Sequence, residues 1–340
     1  MQKNNRNLKA ICADLHIGNN KNNPLFHQTT VKYAEWLKDT LQQRGIDKII
    51  IAGDIFHDRV NINLLSMACM YQFFDILSDF RITVIPGNHD CWFLNNSTIH
   101  SIALLKKWKN VTVYDTPTLT DDIFYAPWGT TVEEMQPAKI LIAHLETQSF
   151  DLGRGKICSH GMKASDVMEK YSVCLTGHFH KPQQRNYEGK LFKYLGSAFQ
   201  LNWGEQGNKN HLTIIDTETL EIETIDNTVS PRFEYICNES DFSKIENNII
   251  SVQIEKNSDE SNSFIDQVMK FKPATIKTEL ISQNLEEMSD EVSEFKLVEI
   301  TETIVEFIGL MENIPEDCRG EVIARTLKLY EKFKDIQQIS

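Results

Sequence analysis

Residues 49–57, Ile49-Ile-Ile-Ala-Gly-Asp-Ile-Phe-His57, decide how this chain folds. A short apolar, β-branched run ends in a glycine and switches at once to an acid and an imidazole. The run reads as a buried strand whose C-terminal end delivers Asp54 and His57 into a loop. The same grammar recurs four times. Leu8 to Ala13 leads into Asp14-Leu-His16, and Ile82 to Ile85 into Pro86-Gly-Asn-His-Asp90. Ile140 to Ala143 leads into His144, and Val173 to Thr176 into Gly177-His-Phe-His180. Between these junctions, Thr30 to Leu41, Leu64 to Leu77 and Thr98 to Trp108 carry apolar residues at helical spacing. Strands alternating with helices predict an α/β domain, where ligands gather at the carboxyl ends of strands. Five distant segments are therefore expected to converge on one site.

The stretch from Leu191 through Ile225 reads as strands and hairpin turns and is expected to complete a second sheet. Residues 18–23, with four Asn around Lys21, read as an exposed loop. Beyond Pro231 the chain becomes more acidic and more weakly patterned. Leu297, Ile300, Ile304, Phe307 and Met311 then recur at helical spacing; Pro315-Glu-Asp317 interrupts them, and Ile323, Leu327 and Tyr330 resume. The expected organisation is a main domain over 1–230, a small capping unit over 231–290 and a helical pair over 291–340.

With 41% apolar and 24% charged residues, the 340-residue chain has the make-up of a globular protein rather than a collagen-like or disordered one. No apolar run approaches the roughly 18 residues of a membrane span, and the polar start from Met1 to Lys9 precedes no signal-peptide core. A cytoplasmic setting is expected, that of the host if a phage encodes the chain. The seven cysteines form no CxxC pair and read as reduced, mostly buried thiols. A net charge of -13 argues against direct nucleic-acid binding, but the charge is unevenly spread. Residues 1–230 carry 23 Lys and Arg against 25 Asp and Glu, whereas residues 231–340 carry 12 against 23. The motif-bearing part is near neutral, and bound metal would offset several of its carboxylates.

The five clusters supply Asp, Asn and His and no thiolate, a hard-to-borderline donor set suited to Mn²⁺, Fe²⁺ or Zn²⁺. In two-metal sites with ions about 3.5–4 Å apart, one carboxylate commonly bridges both. Asp54 is the candidate bridge. Asp14 and His16 alternate along the chain, so on a straight strand they would face one side and grip the same ion; His178 and His180 share that spacing. Asn88 offers a neutral oxygen, and the glycines before Asp54, Asn88 and His178 permit tight turns at strand ends.

In order and chain position, DxH, GD, GNHD, H and GHxH resemble the motifs of the calcineurin-like metallophosphoesterase superfamily over roughly residues 8–225. Asp14-Leu-His-Ile-Gly18, Gly53 to His57, Tyr194-Leu-Gly-Ser197 and Trp203-Gly-Glu205 resemble its SbcD-type double-strand-break repair nucleases, including the phage recombination endonuclease subunits. Ala198 departs from the Pro or Thr of that branch. The resemblance implies a two-sheet α/β sandwich flanked by helices, with a small capping domain and a C-terminal helical pair. It implies two divalent ions, foremost Mn²⁺ with Mg²⁺, Fe²⁺ or Zn²⁺ as alternatives. One would be held by Asp14, His16, Asp54 and His180, the other by Asp54, Asn88, His144 and His178. A hydroxide held by the ions would attack the phosphate in line with the leaving oxygen. His89 would act on the developing charge or the leaving oxygen with Asp90 orienting it, and His57 would position substrate. The implied partners are DNA ends, an SbcC-like coiled-coil ATPase docked on the C-terminal helices, and a second copy of the chain within a heterotetramer.

Other readings stand beside these. His89 and His57 can serve as loop-holding hydrogen bonders, and Trp92-Phe93 as base-stacking residues or as packing. Lys106, Lys107 and Lys109 fit a phosphate contact or a solvated helix face. His27, His100, His160 and His211 lie outside the motifs and read as surface or packing residues. Because the motifs serve the whole superfamily, a stand-alone phosphatase or phosphodiesterase is the alternative activity, and a noncatalytic tether for an ATPase a third.

Overall fold

The computed structural model describes residues 7–256, 258–280, 308 and 319–328. β1 (Leu8–Cys12), β2 (Lys48–Ala52), β3 (Arg81–Ile85) and β4 (Val111–Val113) lie side by side and parallel. The next six strands form a second sheet. They are β5 (Thr118–Thr120), β6 (Ile123–Ala126), β7 (Ile140–His144), β8 (Val173–Gly177), β9 (Gln183–Tyr187) and β10 (Lys190–Tyr194), in the order β5-β6-β7-β8-β10-β9. β11 (His211–Asp216) and β12 (Ile222–Asp226) return to the first sheet, where β11 pairs antiparallel with β1, Leu8 opposite Asp216. Only the start of the Leu191–Ile225 stretch thus joins the second sheet. Strand pattern fixes the hairpin, but the partner edge is chosen by long-range burial.

The near-continuous apolar runs follow from burial on both faces. Ile11, Ile50, Ile142, Leu175 and Ile215 point between the sheets into one shared core. Their neighbours Cys12, Ile49 and Ile51 point the other way, onto α1 (Pro24–Arg44) and α2 (Leu64–Ile76). On the outer face of the second sheet, Leu141, Phe192 and Tyr194 cluster with Val167 of α3 (Ala164–Met168). α1 starts earlier than the apolar spacing indicates, because Asn23 caps it by accepting the Leu25 N–H at 3.0 Å and Pro24 opens its first turn. The expected helix over Thr98–Trp108 is a 3-10 segment, Ser101–Lys107, whose entry is pinned by the Ser101 N–H donating to the Asp90 carbonyl at 2.8 Å. The Asn-rich loop is less exposed than its composition indicates: Asn19 and Asn20 both donate to the Leu201 carbonyl at 2.9 Å.

A third sheet comprises β13 (Phe233–Ile236), β14 (Ile249–Ile254) and β15 (Thr275–Leu280), all parallel, with α4 (Asp259–Lys270) beside it. Its core is Ile236, Ile250, Val252 and Val268, and Phe233 packs on Trp203 with ring centroids 5.0 Å apart. Residues 319–328 are helical (α5), with an ion pair from Arg325 to Glu321 at 2.6 Å. Of the first helix of the expected C-terminal pair, Ile308, helical and buried, is described, and the rest lies outside the described residues. No described helix is long and apolar enough to cross a membrane.

The buried Tyr194 hydroxyl ties β10 to the segment after β7. It donates to the Leu145 carbonyl at 3.0 Å and accepts from the Thr147 N–H at 3.1 Å. Tyr194→Phe strands both backbone groups, so urea unfolding is expected to show a loss of about 1–3 kcal/mol with an unchanged m-value.

Candidate metal centre

The loops after β1 and β2 run together past their strands. The N–H groups of Asp14, His16 and Ile17 donate to the carbonyls of Gly53, Asp54 and Ile55 at 3.1, 3.0 and 2.8 Å. Asp14, His16, Asp54 and His178 all take positive φ, at 54°, 46°, 55° and 98°. The DxH and GHxH segments are therefore not straight strands, and their paired side chains do not reach the site by simple alternation. Left-handed backbone at non-glycine residues is costly and concentrates at functional sites. The two key glycines are present for space. A β-carbon on Gly53 would lie 2.2 Å from His144 Nδ1, and one on Gly87 2.2 Å from Asp54 Oδ1.

All seven residues expected as ligands meet here. Asp54 Oδ2 is 3.4 Å from both His16 Nε2 and His144 Nε2. On one side His16 Nε2 lies 3.0 Å from His180 Nε2 and 4.0 Å from Asp14 Oδ1. On the other, Asn88 Oδ1 lies 2.9 Å from His144 Nε2 and 2.8 Å from His178 Nδ1. His178 and His180 thus diverge, one to each side. Asp14, Asp54 and His144 are fully buried, as is most of His16.

The donor set fits cations. His144 Nδ1 donates to the Ala52 carbonyl at 2.9 Å, so in the neutral ring Nε2 turns a lone pair toward the oxygens of Asp54 and Asn88. His180 Nδ1 meets Glu205 Oε1 at 2.8 Å, which likewise leaves Nε2 facing inward as an acceptor. Such convergence of lone pairs calls for positive charge between them, supplied by a proton or a metal ion. The titration shifts say the same. Burial disfavours charge on His144, but the Asp54 carboxylate outweighs it and pushes the imidazole up to about 9. Burial raises Asp54 too, yet His144 and His16 together hold it well below the usual carboxylate range. Asp14, buried and close to Asp54, is pushed up to about 7 despite His144 and His180. The clusters Asp14–His16–His180 and Asp14–Asp54–His144 are consistent with a dinuclear divalent-metal site.

His89 and His57 sit at the rim. The rings stack with centroids 5.5 Å apart, and His89 Nδ1 lies 2.6 Å from the His57 carbonyl oxygen. The expected partner of His89, Asp90, points elsewhere. Its buried carboxylate accepts the N–H groups of Gly87 at 3.0 Å, Phe56 at 3.0 Å and Ile55 at 3.1 Å, clasping two loops together. That is the correction to its expected role: Asp90 holds backbone, and the His57 carbonyl orients His89.

Three neighbours carry no motif signal of their own or were quoted without a role. Glu205, in Trp203-Gly-Glu205, holds His180 and also accepts the Leu201 N–H at 2.9 Å. Glu146 lies 3.6 Å from His178 Nε2, and the Trp128 ring packs 5.0 Å from that of His178. Of the histidines outside the motifs, His160 lies 3.1 Å from Glu146 at the edge of the centre, and His100 pairs with Asp115. Trp92 and Phe93 are exposed, and Lys106 is paired with Asp115.

The family model described as the calcineurin-like phosphoesterase superfamily domain matches residues 8–220. The chain is similar to "Exonuclease subunit 1" of Enterobacteria phage T4, at 26% identity over 94% of this chain and 97% of that one. It is similar to an uncharacterized protein of Acanthamoeba polyphaga mimivirus, at 22% identity over 57% of this chain and 16% of the relative. Among solved structures, an archaeal phosphodiesterase aligns with 65% of this chain and 99% of its own at 17% identity, with a TM-score of 0.37.

Ligands must be deprotonated to bind metal. Calorimetric titration with Mn²⁺ is therefore expected to show an affinity that falls as pH drops through about 7, as Asp14 takes up its proton, with proton release on binding. Asp54→Ala removes the oxygen shared by both sides and is expected to abolish that binding. Glu205→Gln, which loosens the His180 ring, is expected to weaken it by about 10- to 100-fold.

Proposed function

Because the chain belongs to the calcineurin-like phosphoesterase superfamily, we propose that it is a metal-dependent phosphodiesterase acting on DNA, the nuclease subunit of an end-processing complex. The superfamily fold and the paired His/Asp clusters support the broader activity, phosphatase or phosphodiesterase, more directly than the choice of DNA. The observation that carries the broader reading is the Asp54 carboxylate oxygen set 3.4 Å from an imidazole nitrogen on each side. The narrower reading draws on the likeness to the phage exonuclease subunit, which runs along nearly the whole of both chains.

Asp14, His16, Asp54 and His180 would hold one ion, and Asp54, Asn88, His144 and His178 the other. Two such ions supply Lewis acidity at the phosphate and favour ionisation of water. The chain's own residues do the rest. Glu205 and the Ala52 carbonyl fix the tautomers of His180 and His144 so that Nε2 faces inward. His89 turns Nδ1 to the His57 carbonyl, which leaves Nε2 as the atom that would carry a proton and give it to the leaving oxygen. His57 then acts through His89, by its carbonyl and its stacked ring.

The acidity beyond residue 230 supports a division of labour, in which residues 231–290 cap the site and 291–340 dock a coiled-coil ATPase that supplies DNA affinity. A homodimer within that assembly is part of the same proposal.

The test is Mn²⁺-dependent hydrolysis of end-labelled linear DNA, a small phosphodiester and a phosphomonoester. DNA cleavage lost in Asp54→Ala and reduced about 10²- to 10⁴-fold in His89→Gln is the expected result. Monoester hydrolysis with no DNA cleavage, even with an ATPase partner added, would establish the phosphatase instead.

A further inference from the structure

Beside the metal centre lies a cavity of roughly 420 Å³, lined by His178 and His180 and by Arg154, Lys181, Asn202 and Asn208. Arg154 belongs to no motif. It stands at the tip of a tight loop between Gly153 and Gly155, with its own φ at 52°. The stem of that loop is firmly held. The Leu152 N–H donates to the Lys156 carbonyl at 2.7 Å, and Asp151 accepts the Gly153 N–H at 2.7 Å. Gln183 clamps Asp151 from β9, accepting its N–H at 2.9 Å and donating to its carbonyl at 2.7 Å. A left-handed residue on a fixed stem presents one side chain outward at a set place.

The guanidinium lies over the Trp203-Gly-Glu205 turn, since a β-carbon on Gly204 would be 3.3 Å from Arg154 Nε and 3.5 Å from Nη2. Lys181 is neutralised by Asp151 at 2.6 Å, but among the described residues no acid pairs with Arg154. Glu205 also lines the cavity, but its carboxylate is taken up by His180 and the Leu201 N–H, so the planar fork of Arg154 has the chemistry to receive a phosphate. It approaches from the outer side of His180. Glu205, next to Gly204, binds His180 on Nδ1, and the ring separates that side from the inward-facing Nε2.

We propose that Arg154 binds the phosphate adjacent to the one being cleaved, making this cavity a subsite for a polynucleotide strand. The inference rests on the nuclease reading and deepens it. A substrate with a single phosphate gains nothing from Arg154, whereas a strand laid across His180 toward the loop does. The residue thereby separates polynucleotide from lone diester.

The experiment compares the full chain, loaded with Mn²⁺, with Arg154→Ala and Lys156→Ala on two substrates, a short single-stranded oligodeoxynucleotide and bis(p-nitrophenyl) phosphate. Lys156 shares the loop but does not line the cavity. Arg154→Ala is expected to lower kcat/KM on the oligonucleotide about 10- to 100-fold, mainly through KM, and to make its salt dependence shallower by about one phosphate contact. Hydrolysis of the small diester should change less than about twofold, which also shows that the metal centre is intact. Equal effects of Arg154→Ala on both substrates, or none on the oligonucleotide, would overturn the assignment. So would an equal loss in Lys156→Ala, which would make Arg154 one charge in a diffuse field. If the unaltered protein hydrolyses the small diester but no oligonucleotide, the nuclease reading falls, and the subsite with it.

Discussion

The carboxylate of Asp54 is the constraint around which the centre is built. One oxygen is fixed by the His89 N–H at 2.8 Å, and the other is suspended between His16 and His144. A buried carboxylate is tolerable only when it is paired and hydrogen-bonded. Here the pairing comes from imidazoles on two different sheets, so the charge that would otherwise oppose burial draws the sheets' loops to one point. Gly53 and Gly87 follow from the same demand, because any side chain at either would displace Asp54 or the histidine facing it.

Around that point His144, His178 and His180 each have one nitrogen turned inward and the other facing a partner. His144 gives Nδ1 to a backbone carbonyl, His180 to Glu205, and His178 turns Nε2 toward Glu146. Fixed tautomers keep the inward lone pairs available and the rings from rotating. The groups that hold the rings come from elements far apart in sequence, among them the Trp203–Glu205 turn and the segment after β7 that carries Glu146. The stability of the sandwich and the readiness of the site are therefore one property: Tyr194, by holding the segment after His144, serves both.

The net charge of -13 is less of an obstacle to a phosphate-bearing substrate than it looks. Near the centre Lys181 is neutralised by Asp151 but Arg154 pairs with no acid among the described residues, while much of the acidity lies beyond residue 230. Binding of a polyanion depends on local field and on metal charge rather than on the total.

The sequence by itself determined the α/β class and the identity of the cluster residues. Buried parallel strands must be apolar throughout, and the polar residues that break those runs can only be at their ends. Asp14, His16, Asp54, Asn88, His144, His178 and His180 were legible for that reason, since each sits where a run such as Ile49–Ala52 or Ile140–Ala143 stops. What the tertiary structure alone decided is which atoms meet. Alternation placed Asp14 with His16 and His178 with His180, whereas the resemblance divided the second pair between two ions; the left-handed backbone at His178 is what turns the two rings to opposite sides. The resemblance likewise implied that Asp90 steers His89, whereas its carboxylate turns back to three backbone N–H groups. Glu205 and Arg154 left no legible role, because their work depends on contacts across long loops. Periodicity reports burial along one element; the direction of a side chain in a turn is set by φ and by partners that fold up against it.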